Sequence, residues 1–359
     1  LAEMSNRDDT IFLLGATGFI GSQFLARLAR TSHKFHVIAL LRNITDEKKA
    51  KIQEIYPDIE FVEGTLADKD IIVAQVARAK YVMNFASSDH AVSVQSILTG
   101  LELQSAANAG NPPLYLHTSG LGIVGDNARG EPVDEAKIPR YNDTTFTVDS
   151  VPVDNCHVNC DSLIIEAAMR KENPVRTIIM FPGCVYGLGE GYRKSSGGVR
   201  LFLEANKIAG YSGTWGLGAN SFAFIHIKDL ADGMIRIFEA ALEGKADEGA
   251  QGYYFLASDH PHVTWKEYMA QIGDMLHKRG IYPEGGSKPY PTAVTDLFGE
   301  FGWKLVGGNH RVTAERLKKL GWEATESRKV SVLDSLPEEV DMAFFDLQPK
   351  GSILKPEDE

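Results

Sequence analysis

The 359-residue chain is predicted to be an α/β protein, a doubly wound parallel sheet with helices on both faces and a smaller C-terminal α+β lobe. Three features predict this. Through the first half, short apolar runs rich in Val, Ile and Phe alternate with longer amphipathic stretches, the pattern of βαβ units. The first of those runs leads straight into the glycines Gly15, Gly18 and Gly21, and after Pro182 glycine becomes frequent and the elements turn irregular.

In chain order, strands are expected over 10–14, 35–40, 59–62, 81–85, 113–118 and 176–181, and the best helices over 19–30, 68–79, 91–109 and 155–171. Asp46 and Asp68 stand where N-caps belong, and Gly110 where a helix should stop. These elements make a first lobe over 8–183, rejoined within 228–257 by a helix at 228–242 and a strand at 252–256. Residues 184–227 and 258–345 are expected to build the second lobe, and the polar end 346–359 to fray.

Charge and composition narrow the function. A formal net charge of −11 opposes binding to phosphate backbones or anionic membranes, so no nucleic-acid or membrane partner is expected. With 43% hydrophobic residues the chain can bury a large core, yet no apolar run approaches the ~20 residues of a membrane span. The polar start suggests no signal peptide, and three cysteines suggest reduced thiols, so a cytoplasmic location is expected. Cys156 and Cys160 lie four apart with His157 between them, but no further Cys/His pair completes a metal site.

The turn after the first strand carries the strongest functional signal. A tight turn needs glycine at Gly15, a phosphate can approach backbone where Gly18 lacks a side chain, and Gly21 lets the following helix pack close to the sheet. The amides of Thr17, Gly18, Phe19 and Ile20 would face the pyrophosphate of a dinucleotide. The second strand ends in Leu41-Arg42 with no acid to hold a ribose 2′-hydroxyl, so Arg42 favours NADP over NAD. Leu66, Phe85, Ala86 and Ser87 follow strand C-termini, where adenine and ribose would lie.

These glycines, with His117-Thr118-Ser119-Gly120, Phe181-Pro182-Gly183-Cys184-Val185-Tyr186-Gly187 and Phe224-Ile225-His226-Ile227-Lys228-Asp229-Leu230-Ala231, resemble the extended short-chain dehydrogenase/reductase family. The resemblance spans residues 11 to about 256 and implies a Rossmann domain with a substrate lobe over the nicotinamide. It also adds Thr118 and Pro182 to the cofactor-binding set and implies pairing of subunits, a homodimer, through the helices 91–109 and 155–171.

One family feature is missing. The Tyr-x-x-x-Lys pair that moves the proton in this family would fall at Val158 and Ser162, neither of which can do so. Shifted by one residue, His157 and Asp161 are titratable and one helical turn apart, and could face the cofactor together. Ser119 could hold a substrate oxygen, and Tyr186 or Tyr141, on the long loop 125–153, could donate a proton. Asp229 should cap the helix that starts beside it, and His226 should pack between the lobes. Tyr192, Arg193, Trp215 and Phe222, among glycine-rich loops, could line a substrate pocket.

Three functions follow. The first is an NADP-dependent oxidoreductase on a small ketone or secondary alcohol, such as a secondary metabolite. The second is a non-redox isomerase, dehydratase or cyclase. The third is an NADP-sensing regulator of the NmrA-like kind.

Overall fold

The computed structural model describes residues 9–259 and 261–346. The expected boundary at residue 8 and, apart from Asp346, the end 346–359 lie outside the described residues. Alternation runs through β1 (Thr10–Leu14), α1 (Phe19–Leu28), β2 (His36–Leu41), α2 (Asp46–Ile55), β3 (Ile59–Glu63), α3 (Lys69–Val76), β4 (Tyr81–Asn84), α4 (Ala91–Ala107) and β5 (Leu114–Thr118). A long excursion holding β6 (Arg140–Asn142) then leads to α5 (Val158–Ala168) and β7 (Arg176–Pro182).

Beyond it come β8 (Cys184–Tyr186), α6 (Gly197–Ala209), β9 (Gly213–Thr214), β10 (Ser221–Phe222), β11 (Phe224–His226), α7 (Ile227–Leu242) and β12 (Tyr253–Leu256). The last stretch contains β13 (Val263–Thr264), α8 (Trp265–Lys278), β14 (Lys288–Pro289), α9 (Thr292–Thr295), α10 (Gly299–Gly307), β15 (Arg311–Thr313), α11 (Arg316–Lys319), α12 (Thr325–Lys329) and α13 (Val332–Asp346).

Seven parallel strands form one sheet in the order β12-β7-β5-β4-β1-β2-β3. The order reverses between β1 and β4, which opens a crevice at their C-terminal ends. Alternation along β1 explains the layers: Ile11 and Leu13 face Phe24 and Leu25 of α1 and Leu230, Met234 and Phe238 of α7, whereas Phe12 and Leu14 face Val76, Val94, Leu101 and Ile164 of α3, α4 and α5. Each such side chain fully buried contributes about 1.5–3 kcal/mol, which makes a strand apolar on both faces stable only at the centre of a covered sheet.

A third cluster gathers Phe202, Trp215, Phe224, Trp265, Tyr268 and Leu336 in the part of the chain beyond β7. Trp215 and Phe222 do not line an open pocket; at 1% and 7% exposure they belong to this core. Trp215 packs edge-on against Tyr290 and Phe298, and large rings gain more by such burial than by waiting at a loop surface.

Some expected boundaries move for local reasons. The helix expected from 155 starts at Val158, because His157 is left-handed (φ 72°) and Asn155 instead donates to the carbonyls of Ile123 and Gly125. Thr45 rather than Asp46 caps α2, by accepting from the Lys48 amide. Asp68 precedes α3, but its carboxylate turns back to the amide and hydroxyl of Thr65. α4 ends at Ala107 with Asn108 as its cap, and Gly110 takes a positive φ two residues further on. Asp229 does not cap its own helix: the His226 ring accepts from the Lys228 amide to cap α7, while Asp229 accepts from the amides of Glu326 and Ser327 at the start of α12.

Candidate active site

The glycine turn is shaped by close backbone approach. Gly15 has φ 92°, and a Cβ there would fall 2.6 Å from the Phe85 carbonyl carbon; at Gly21 a Cβ would fall 2.3 Å from the Gly15 oxygen. Gly18 differs. Its φ of −73° suits any residue, and an added Cβ would meet only the Gly15 oxygen, at 3.2 Å. Substitution at Gly18 therefore fills space outside the turn rather than breaking the turn. α1 follows with no acidic residue in its first turn and no side chain capping its start, so its leading amides keep their partial positive charge for an outside anion. These features fit the pyrophosphate of a dinucleotide.

Other predicted contacts stand around the same crevice. Arg42 is exposed at the end of β2 and forms no ion pair among the described residues. Its backbone carbonyl, with that of Asn43, accepts from Lys48. Leu66 is partly buried after β3, and Phe85, Ala86 and Ser87 follow β4 directly, with the Ala86 amide bound to the Asn84 side chain. Thr17 and Ile20 are partly exposed, whereas Phe19 is buried. Pro182 is buried at the end of β7, in register with Leu256 of β12. Thr118 brings to the end of β5 a buried hydroxyl with no hydrogen-bond partner among the described residues.

Beside Thr118 lies a cluster that no single stretch of sequence contains. The Ser119 hydroxyl donates to Asp161 (2.7 Å), which α5 presents fully buried. His157, immediately before α5, reaches the other way, its Nδ1 2.9 Å from Asp89 in the loop between β4 and α4. Its Nε2 lies against the turn that follows Ser119, where a Cβ at Gly120 would come within 3.0 Å and one at Gly122 within 3.1 Å. Glycine at both positions makes room for the ring. His157 and Asp161, expected to work as a pair, are thus parts of two pairs, His157 with Asp89 and Asp161 with Ser119.

The electrostatics separate the two. Burial opposes ionisation of Asp89, but the hydrogen bond and charge of His157, with the Ser88 hydroxyl, outweigh it and hold the Asp89 carboxyl below the usual range. Burial dominates at Asp161 and pushes its carboxyl up to about 7, against the opposing pull of His157 and Ser119. Burial likewise drives His117 down to about 3, so that ring is neutral. Perturbed groups gathered at a strand-end crevice are the arrangement expected of an active site.

Sequence reasoning missed Asp89 and His117. Asp89 had a readable signal, being an acid five residues past the end of β4 on the loop already assigned to the cofactor; His117 figured only as part of the motif around Ser119, with no role of its own. Several named residues are not brought to this cluster. Tyr186 is buried, its hydroxyl donates to the Val330 carbonyl (2.7 Å), and burial pushes it up to about 12, so the expected proton donor at Tyr186 is committed elsewhere. Tyr141 is held in the β6–β15 pairing and against Phe146. Val158 is buried in the sheet-facing core and Ser162 is partly buried.

Two open polar depressions lie at the far end of α1, around Arg27, Arg30, Asp232 and Thr325. Arg27 is nine residues from Gly18, about 14 Å along the helix, and is already paired with Asp232. Those depressions are separate from the glycine turn.

A parallel sheet with its glycine turn at the strand-order reversal, and a second core built on the chain after β7, defines the extended short-chain dehydrogenase/reductase class. The chain belongs to the NAD dependent epimerase/dehydratase family, whose sequence model spans residues 11–249. It is 25% identical over 329 residues to "Oxidase ucsJ" of Acremonium sp, covering 87% of this chain and 92% of that protein. It is 26% identical over 255 residues to the dTDP-4-dehydro-6-deoxy-D-allose reductase of Streptomyces bikiniensis, covering 64% and 72% of the two chains. Among solved structures, the UDP-glucose 4-epimerase of Bifidobacterium longum with NAD+ and UDP superposes with a TM-score of 0.62 at 14% identity, over 95% of this chain and 99% of that one. The dTDP-glucose 4,6-dehydratase of Bacillus anthracis with NAD gives 0.61 at 14% identity, over 96% and 99%. Among the described residues, no helix is long and apolar enough to cross a membrane.

Proposed function

We propose that the chain is an NADP(H)-dependent oxidoreductase acting on a small ketone or secondary alcohol, with Ser119 holding the reacting oxygen and His157 exchanging its proton. The observation that carries this reading is the Asp89–His157 contact at the rim where Ser119 emerges. A carboxylate on Nδ1 fixes the ring and leaves Nε2, packed beneath Gly120 and Gly122, as the nitrogen to take or give a proton, the role vacated by tyrosine. Bound coenzyme supplies or accepts the hydride. The likeness to an oxidase and to a sugar reductase supports redox chemistry. The test is a panel of small ketones and secondary alcohols followed by nicotinamide absorbance: a stoichiometric change supports the proposal, and product formed with no net change would return the site to isomerisation or dehydration.

The preference for NADP rests on Arg42, which forms no ion pair among the described residues, at the edge of β2 where a 2′-phosphate would need a cation. Arg42→Asp is expected to weaken NADP binding by about 100-fold relative to NAD, roughly 2.7 kcal/mol. Calorimetry with both coenzymes checks this, and an unchanged ratio would make Arg42 a solvated surface residue.

A homodimer through α4 and α5 is also proposed. These helices pack side by side and leave Leu103 and Met169 largely exposed, at 56% and 68%. Light scattering should give twice the chain mass, and Leu103→Glu should halve it.

A further inference from the structure

We propose that Asp161 sets the hydrogen-bonding polarity of Ser119, and so decides whether that hydroxyl offers its proton to a carbonyl oxygen or can only accept one from an alcohol. The inference rests on the reading that Ser119 holds the reacting oxygen.

The geometry leaves this one variable open. Ser119 and Asp161 are buried and 2.7 Å apart, so one proton must lie between them, and which oxygen owns it depends on whether Asp161 is ionised. An ionised Asp161 accepts the hydrogen bond of the Ser119 hydroxyl, which leaves Ser119 only its lone pairs to offer the substrate. A protonated Asp161 donates to Ser119 and frees the serine proton for the substrate.

The surroundings allow Asp161 to hold that proton. Among the described residues its second oxygen, Oδ1, has no hydrogen-bond partner and lies 3.7 Å from Nε2 of His117, which likewise forms no hydrogen bond. His117 cannot serve as a cation there: burial holds it neutral, and its Nδ1 lies 2.9 Å from the Tyr115 hydroxyl. No Lys or Arg pairs with Asp161 among the described residues. The titratable groups acting on or near it are Tyr115 and His117 of β5, Cys160 and His157 at the start of α5, Asp89 of the β4–α4 loop and Tyr253 of β12. Of these only His157 favours the ionised form. A carboxyl so enclosed gives up its proton near neutrality, and substrate chemistry then meets a different Ser119 on either side of that point.

Infrared spectroscopy of the protein without coenzyme tests the idea, because a protonated buried carboxyl has its own carbonyl band. Glu339, another buried carboxyl pushed to about 7, is first removed by Glu339→Gln in every sample. A carboxyl band present at about pH 5 should fade by about pH 8, be absent in Asp161→Asn, and shift in frequency in Ser119→Ala, which removes its bond. No titrating band, or one unmoved by either substitution, overturns the proposal.

Thermal melting gives a second readout. A folded-state value raised above the ordinary 3.8 makes the folded protein hold the extra proton between about 4 and about 7, so stability should fall as pH rises through that window. His117 contributes the opposite slope below its ordinary 6.5, since the unfolded ring then binds the proton that the folded ring refuses. The comparison with Asp161→Asn isolates the Asp161 part: the variant should gain melting temperature over the parent as pH rises, and a constant difference overturns the proposal. Neither readout uses turnover, so an absence of redox activity would sink the functional reading while leaving these results distinct. With an accepted substrate, the pH profile of kcat for reduction should lose in Asp161→Asn the inflection near neutrality that Asp161 supplies. An inflection that survives the substitution would refute it.

Discussion

Gly18→Val should lose coenzyme affinity by at least about 100-fold, roughly 2.7 kcal/mol, with little change in melting temperature. The backbone at Gly18 already lies in the extended region open to valine, and the nearest atom to a new Cβ is the Gly15 oxygen at 3.2 Å. The added methyls therefore occupy the approach to the first turn of α1 rather than the interior. Gly15→Ala should behave oppositely. Its Cβ would collide with the Phe85 and Ala86 backbone at a φ of 92°, so the fold should weaken before binding can be measured. Calorimetry with NADP and thermal melting separate the two, and full affinity in Gly18→Val would remove the coenzyme from this turn.

His157→Asn should lower turnover by about 10²- to 10⁴-fold, the contribution of a positioned acid or base. Asparagine is the appropriate replacement because His157 is left-handed, a conformation that asparagine tolerates and alanine resists. Asp89→Asn should cost less, since the ring remains but loses the carboxylate that orients it. Steady-state rates with an accepted substrate check both. Undiminished turnover in His157→Asn would leave the ring a structural plug beneath Gly120 and Gly122.

Much of the scaffold was legible because parallel strands announce themselves locally. Thr10–Leu14 and Arg176–Pro182 are apolar runs between amphipathic helices, and the glycine turn falls where a strand gives way to a helix. The candidate site was only half legible. Asp161 meets Ser119 across 42 residues, and His157 meets Asp89 across 68, separations over which spacing carries no information. The spacing argument that paired His157 with Asp161 assumed one continuous helix. His157 lies outside it, and its left-handed backbone turns the ring off the face that Asp161 occupies.

Glycines in the later part of the chain misled in a consistent way. Their density suggested mobile loops around Trp215, but several mark places where two backbones touch. A Cβ at Gly183 would fall 2.3 Å from the Ala223 oxygen, and one at Gly216 would fall 2.4 Å from the Arg129 oxygen. Absence of a side chain served packing there, which a single sequence cannot distinguish from freedom.

The excursion between β5 and α5 is fastened almost entirely by residues far downstream. β6 pairs with β15, Asp143 accepts from the amides of Glu315 and Arg316 as well as Phe255, and Asp126 holds Asn309. These contacts bridge separations of 112 to 183 residues. Such high contact order slows folding, because the loop-closure entropy must be met before the contacts form. On the ribosome, the sheet up to β5 can assemble early, while the lining beside Ser119 waits for residues beyond 309 to emerge. Until those residues emerge the excursion lacks its anchors, the condition in which an incompletely packed chain is exposed to aggregation.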